Sequence, residues 1–194
     1  MSNMIISSTN YSDSANSISA SSEVATLPVE NLQDRQLVKV YRSDAATTVQ
    51  LDVDFGQGRI IDFVALIRHN ISQTGTIRWR WSNVHDFATT QYDSGVIDAW
   101  PVVEEFGALP WGVFTWGGFL SIEVAAQYTI SSFAVLDSPV QARYLRIDIV
   151  DDDNAEGYIE AGRLISGPAY RPSTNYGFGA EIQFVDESRI VKSR

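Results

Sequence analysis

Apolar and polar positions alternate with a period of two over "TTVQLDVDF", where Val49, Leu51, Val53 and Phe55 oppose Gln50, Asp52 and Asp54. Strand side chains point to alternate faces, so this stretch predicts a half-buried β-strand. "FGQG", residues 55–58, then ends it as a turn. "IDFVALIRH" is apolar on both faces, as in a strand covered on both sides. "GTIRWRWS" alternates again, with Ile77, Trp79 and Trp81 on one face and Arg78 and Arg80 on the other. "SSFAVLD", "ARYLRIDIV" (Leu145, Ile147 and Ile149 inward), "EGYIEAGRLISG" and "AEIQFVDE" extend the set. Helical periodicity of useful length is absent. Many short strands separated by Gly, Asp, Asn and Pro turns predict an all-β sandwich or barrel.

Two stretches break this rhythm. "SASSEVATLPVENLQDRQLVKVYRSD", residues 19–44, has loop composition but too many buried-type residues for a linker. "DAWPVVEEFGALPWGVFTWGGF", residues 98–119, holds Trp100, Trp111 and Trp116, three Phe including Phe114 and Phe119, two Pro and four Gly. Gly and Pro argue against a regular element, and the aromatics argue against a free loop. It is an ordered insertion. Either it closes one end of its own sandwich, or it presents a contact surface to another subunit or ligand.

Composition narrows the classes. The chain has 194 residues, enough for one well-buried core. Its net charge of −10 excludes a phosphate-neutralising nucleic-acid binder. No apolar run reaches the ~18–20 residues of a membrane span, so no membrane insertion is expected. The start, "MSNMIISSTNYSDSANS", has neither the basic nor the apolar region of a signal peptide. Cysteine is absent, which fits folding in a reducing cytoplasm. Twelve Arg against two Lys is lopsided. Arginine is favoured where planar multidentate pairing or aromatic stacking is wanted, as at interfaces; lineage bias is the bland alternative.

The order "ASSE…LPVENLQD…VYRS", then "LDVDFG", then "IDFVALIRHN" resembles the start of galactose-binding-like, or discoidin-type, domains. "ARYLRIDIVDDDNAEGYIEAGRLISG", residues 142–167, resembles the closing strands of that jelly roll. The resemblance covers residues 18–167 and implies a jelly-roll β-sandwich. Residues 1–17 would be an N-terminal arm or first strand, and 168–194 a C-terminal strand and arm. Residues 19–44 would wrap one end, with Asn31 and Asp34 bonding loop backbone. "NLQD…VYRSD", "VALIRHNIS", "DAWP…LPWG" and "YIEAGRLISGPAYRPS" together resemble structural proteins of tailed-bacteriophage tails. That narrower resemblance implies a tail-tip or baseplate component in the virion, assembled in the host cytoplasm. Its partners would be copies of itself and other tail proteins. The rival is a module recognising a host-surface glycan.

Candidate sites follow. Galactose-binding-like domains often hold a calcium near the Asn-Leu-x-Asp loop, which makes Asp34 and Glu160 the metal candidates. The usual glycine is replaced by Arg35, whose charge opposes a cation, so no metal is favoured and no cofactor is implied. "DDDNAEGYIEAGR" starts like an EF-hand loop from Asp152 but places Arg163 where the bidentate Glu belongs. Asp151, Asp152 and Asp153 therefore read as a solvated turn. His69 and His85 have no motif neighbours for a triad or zinc site, and no enzyme is expected. For a sugar, the available types are Tyr41, Arg42, His69, Asn70 and the insertion tryptophans. The plainer role for His69 and Asn70 is to satisfy turn backbone at a strand end.

Overall fold

A computed structural model describes residues 5–7, 9–100 and 130–172. The body is one compact unit, Ser7–Ala169. Outside it, Ile6 and Tyr170 exchange two backbone hydrogen bonds of 3.0 and 2.7 Å within a second unit.

Eight strands make up the described sheet: β1 (Ser17–Ala20), β2 (Tyr41–Arg42), β3 (Thr48–His69), β4 (Thr76–Ser82), β5 (Tyr92–Asp93), β6 (Ile97–Asp98), β7 (Ser131–Val150) and β8 (Glu160–Gly167). Their order is β2-β8-β3-β7-β4-β5, with β1 also on β3 and β6 also on β4. All pairings are antiparallel. β3 and β7 are long enough to serve in two layers. Their Thr48–Asp54 and Tyr144–Val150 ends pair with each other between β1 and β4. Their Phe63–Ile67 and Ser131–Val135 ends pair beside β8.

Alternation placed the inner side chains correctly. Val49, Leu51, Val53, Phe55, Ile77, Trp79, Trp81, Leu145, Ile147 and Ile149 are all buried. Val64, Leu66, Leu136 and Leu164 join the same core from the other layer. Each such side chain is worth roughly 1.5–3 kcal/mol of transfer free energy.

Two expected boundaries dissolve. "FGQG" does not end a strand: β3 runs on through it. β3 spends Asp54 to Arg59 where β7 spends only Tyr144 to Ala142. The surplus residues bulge outward, with Gly56 at φ +75 and its N–H donating to Asp54 Oδ1 at 2.7 Å. A second irregularity lies between Ile61 and Phe63. Bulges bend and twist a strand, which is how one strand passes from layer to layer. Likewise "SSFAVLD" and "ARYLRIDIV" are one strand, because the exposed Asp137–Pro139 stretch stays extended between them. "AEIQFVDE" lies outside the described residues.

The outer face of the first layer is an ordered ion-pair network. Arg146 grips Asp52 (Nε–Oδ1 2.6 Å, Nη2–Oδ2 2.8 Å) and Arg143 grips Asp54 (2.8 and 2.9 Å). Arg80 donates twice to Asp148 Oδ2, at 3.0 and 2.6 Å, and Arg78 forks onto Asp93. Phe87 lies over two of these guanidiniums, 4.3 Å from Arg146 and 5.8 Å from Arg80. Arginine is used here for its planar fork, inside one chain.

Both ends of the body meet along β8. Tyr11 N–H donates to Ser166 O at 2.7 Å, and Asn10 reaches Leu164 O and Ser166 N at 3.0 and 2.8 Å. Ser7 Oγ donates to Pro168 O at 3.2 Å. A Cβ on Gly167 would stand 2.1 Å from Thr9 O. Gly167→Ala should therefore cost about 1–3 kcal/mol or more, the range for overpacking, because a backbone oxygen cannot swing aside. Urea denaturation of the variant against the parent chain would show it as a lowered midpoint at unchanged slope.

Candidate functional site

Residues 19–44 are stitched to one end of the sandwich, as their buried-type residues foretold. Ser21 N–H donates to Gln50 O at 2.9 Å, and Ser21 Oγ accepts from Gln50 N–H at 2.9 Å. Val29–Gln33 form a 3₁₀ turn that buries Val29 and Leu32. Asn31 Nδ2 donates to Val40 O at 2.8 Å, and Asp34 Oδ1 accepts from Gln36 N–H at 2.9 Å. The Asp34 carboxylate is also held by Lys39 Nζ at 2.6 Å, which keeps it below the usual carboxylate range. Among the described residues no three His, Cys, Asp or Glu side chains gather to hold a metal.

Tyr41 is not a surface group. Its ring is wholly buried, its hydroxyl donates to Ser22 O at 2.6 Å, and burial pushes its phenol up. Asn70 is spent on backbone and a neighbour. Its Nδ2 donates to Tyr158 O (2.9 Å) and Glu156 Oε2 (3.0 Å), and its Oδ1 accepts from Glu160 N–H (2.7 Å). This pins the β3 exit to the entry of β8. Glu160 faces Arg42 across the β2–β8 pair and is half-buried.

His69 belongs to a buried knot. Ile71 N–H donates to its Nδ1 at 3.3 Å, and Ser132 Oγ lies 2.8 Å from its Nε2. Ser132 spends its single proton on Ala99 O, so Nε2 must carry the ring hydrogen and Nδ1 must be bare. Trp100 completes the knot, its indole N–H donating to Ile71 O at 2.7 Å. A Ser–His pair invites a catalytic reading, which the geometry rejects. Ser132 is 3% exposed and donates away from the ring, and among the described residues Nδ1 is met by Ile71 N–H and no carboxylate. Trp111, Phe114, Trp116 and Phe119 lie outside the described residues.

Asp151 is a further correction. It is not part of a solvated turn but 1% exposed. Its carboxylate accepts from Ser72 N–H at 2.7 Å, Ser72 Oγ and Asn154 Nδ2 at 2.9 Å, locking the 70–75 loop to the 151–157 loop. Asp152 and Asp153 are exposed as expected. Gly75 sits in the same seam, where a Cβ would come within 2.3 Å of Ile71 Cγ2.

At this loop-covered end a cluster lies at the rim. The Arg42 guanidinium lies 3.4 Å from the centroid of the Tyr158 ring. Tyr158 neighbours Glu156, whose Oε2 accepts from Asn70 Nδ2 at 3.0 Å. Tyr158 first, then Asn70 and the charge of Arg42, hold the Glu156 carboxyl below its ordinary value, and Glu156 in turn raises the Tyr158 phenol. Among the described residues the Arg42 guanidinium makes no hydrogen bond. Its donors are unspent beside an aromatic ring and a carboxylate. Of the sequence candidates within the described residues, Arg42 and Asn70 reach this cluster, with Glu160 opposite Arg42. Tyr158 and Glu156 escaped notice because "EGYIE" reads as plain strand. The signal was Gly157, at φ +73, which delays the strand to Glu160 and leaves Tyr158 at the rim.

With this geometry in hand, the solved structures that resemble the chain are informative. The family 32 carbohydrate-binding module from C. perfringens NanJ, in complex with galactose, aligns with a TM-score of 0.55 at 15% identity, covering 86% of this chain and 100% of that one. The body therefore has the all-β jelly-roll sandwich fold of that module. The lectin domain of lectinolysin complexed with Lewis B antigen gives 0.53 at 11% identity, covering 87% and 100%. A Streptococcus pneumoniae fucose binding module gives 0.53 at 9%, covering 82% and 94%. At these identities the likeness carries the fold. No family model matches the sequence. No curated protein matches it either.

Burial lowers His69 from 6.5 to about 4. The unfolded chain thus takes up a proton near pH 6.5 that the folded ring refuses until about 4, and protonation would turn Nδ1–H against Ile71 N–H. Stability contributed by the neutral ring is complete above pH 6.5 and drains as pH falls, by about 3 kcal/mol at pH 4. Chemical denaturation at pH 7.5, 5.5 and 4.5 should show this fall, and His69→Gln should flatten it in that window.

Proposed function

We propose that the chain is a carbohydrate-binding module whose contact surface is the Arg42–Tyr158–Glu156 cluster at the loop-covered end. The observation that carries this reading is the uncommitted Arg42 fork stacked on Tyr158. A sugar offers an apolar C–H face and directional hydroxyls. A flat ring or guanidinium matches the first, and a fixed fork with a carboxylate matches the second. Asn70 and Asp151 tie the supporting loops down, so little ordering entropy is lost on binding. Support also comes from the neighbours named above, which are sugar-binding proteins of this fold, although fold alone does not carry function. The role is binding without turnover.

The resemblance of the sequence motifs to those of tailed-phage tail proteins supports a second, compatible reading. In it the module is a tail-tip or baseplate component and presents the cluster to a host-surface glycan. Assembly contacts with copies of itself and other tail proteins would then hold it in the virion.

Arg42→Ala and Tyr158→Ala should each weaken binding on a glycan array at least tenfold while leaving the thermal midpoint within a few degrees, since both side chains are only half-buried. Unchanged array binding by both variants would overturn the assignment of this cluster.

A further inference from the structure

We infer that the opposite end of the sandwich carries a second contact site, for a neutral sugar ring, built on Tyr144, His85 and Arg143. The proposal takes its ligand class from the glycan-binding reading but rests on different residues. Tyr144 is half-buried, with His85 edge-on to it at 5.5 Å between ring centroids and an interplanar angle of 89°. The Arg143 guanidinium lies 5.0 Å from the Tyr144 centroid. The three groups present a ring, a second ring at right angles and a planar cation on one surface.

Their bonding capacity is only partly used. Arg143 gives Nε and Nη2 to Asp54, leaving Nη1 without a hydrogen bond among the described residues. The Tyr144 hydroxyl and both His85 nitrogens are equally unspent there. The frame is nonetheless fixed. Asn83 Nδ2 donates to Gln141 O at 3.2 Å, its Oδ1 accepts from Arg143 N–H at 3.2 Å, and its N–H donates to Gln91 Oε1 at 2.9 Å. Donors and acceptors with spare valence, held rigid around an aromatic ring, are what a polyhydroxylated ligand needs. The Arg143 charge is compensated by Asp54, so the site suits an uncharged ring and not an acidic sugar. The Val150–Tyr144 stretch of β7 spans about 20 Å and separates this end from the loop-covered one. Two sites that far apart could engage two glycans at once, which multiplies weak affinities.

Backbone and imidazole NMR signals should be followed during separate titrations with galactose, fucose and N-acetylgalactosamine, each taken well above the millimolar range. His85 and Tyr144 signals should move with at least one sugar and still move in Arg42→Ala. Both His85→Ala, an exposed change, and Tyr144→Ala should weaken that response at least tenfold. If Tyr144→Ala unfolds the chain, His85→Ala alone decides. Shifts confined to the Arg42 end, or lost in Arg42→Ala, overturn the second site and leave the first. Silence at both ends overturns the glycan reading itself.

Discussion

The pairing of β3 with β7 is the constraint on which the rest depends. It runs from Thr48 opposite Val150 to Ile67 opposite Ser131, and each strand lends one end to each layer. A slip of one residue would turn Leu51, Val53, Leu145 and Ile147 to solvent and the arginines to the core. Nothing in the alternation tolerates that. The two bulges are equally fixed, because they set where the ribbon passes between layers. The loops leave from these same strands: His69 ends β3 with Asn70 after it, and Asp151 follows β7. Whatever binds at the loop-covered end is positioned by a register decided in the core.

The arginine bias has its explanation on the sheet surface. A two-pronged Arg–Asp pair fixes orientation as well as distance, which a lysine does not. Asp52 and Asp54 on β3, Arg143, Arg146 and Asp148 on β7, Arg78 and Arg80 on β4, and Asp93 on β5 pair across four strands. Arg143 and Arg78 hold the Asp54 and Asp93 carboxyls below their usual range. Isolated surface pairs contribute little, but partly buried neighbours under the Phe87 ring share their ordering cost. Arg163, gripping Asp13 at 2.8 Å, uses the same chemistry to tie the N-terminal segment to β8.

Period-two alternation made the core legible before any coordinates: every residue it turned inward on β3, β4 and the second half of β7 is buried. Boundaries were harder. Gly56 and Gly58 carry the same letters in a turn and in a bulge, and only the partner strand tells them apart. The site was harder still. Tyr41 and His69 had suitable chemistry, yet tertiary packing took both into the interior, while Tyr158 and Glu156 became functional candidates through a left-handed glycine. Asp151 looked like one of three solvated acids, but its burial depends on Ser72 arriving from a distant segment, with Asn154 of its own loop closing over it. Sequence reports what a residue can do, and the partner strands decide whether it is free to do it.

The meeting of the body's two ends along β8 gives the fold a portable character. Chain enters beside Thr9 and leaves beside Pro168, joined there by Ser7 and Tyr11 hydrogen bonds. A unit entered and left at one place can be spliced into a surface loop of an unrelated host protein without stretching either partner. It could also be re-cut, with its native ends fused and new ones opened in an exposed turn away from the loop-covered end. The core register would survive both operations, since β3 and β7 never cross that doorway. Evolution can therefore move such a body between architectures as a cassette, carrying its surface chemistry with it.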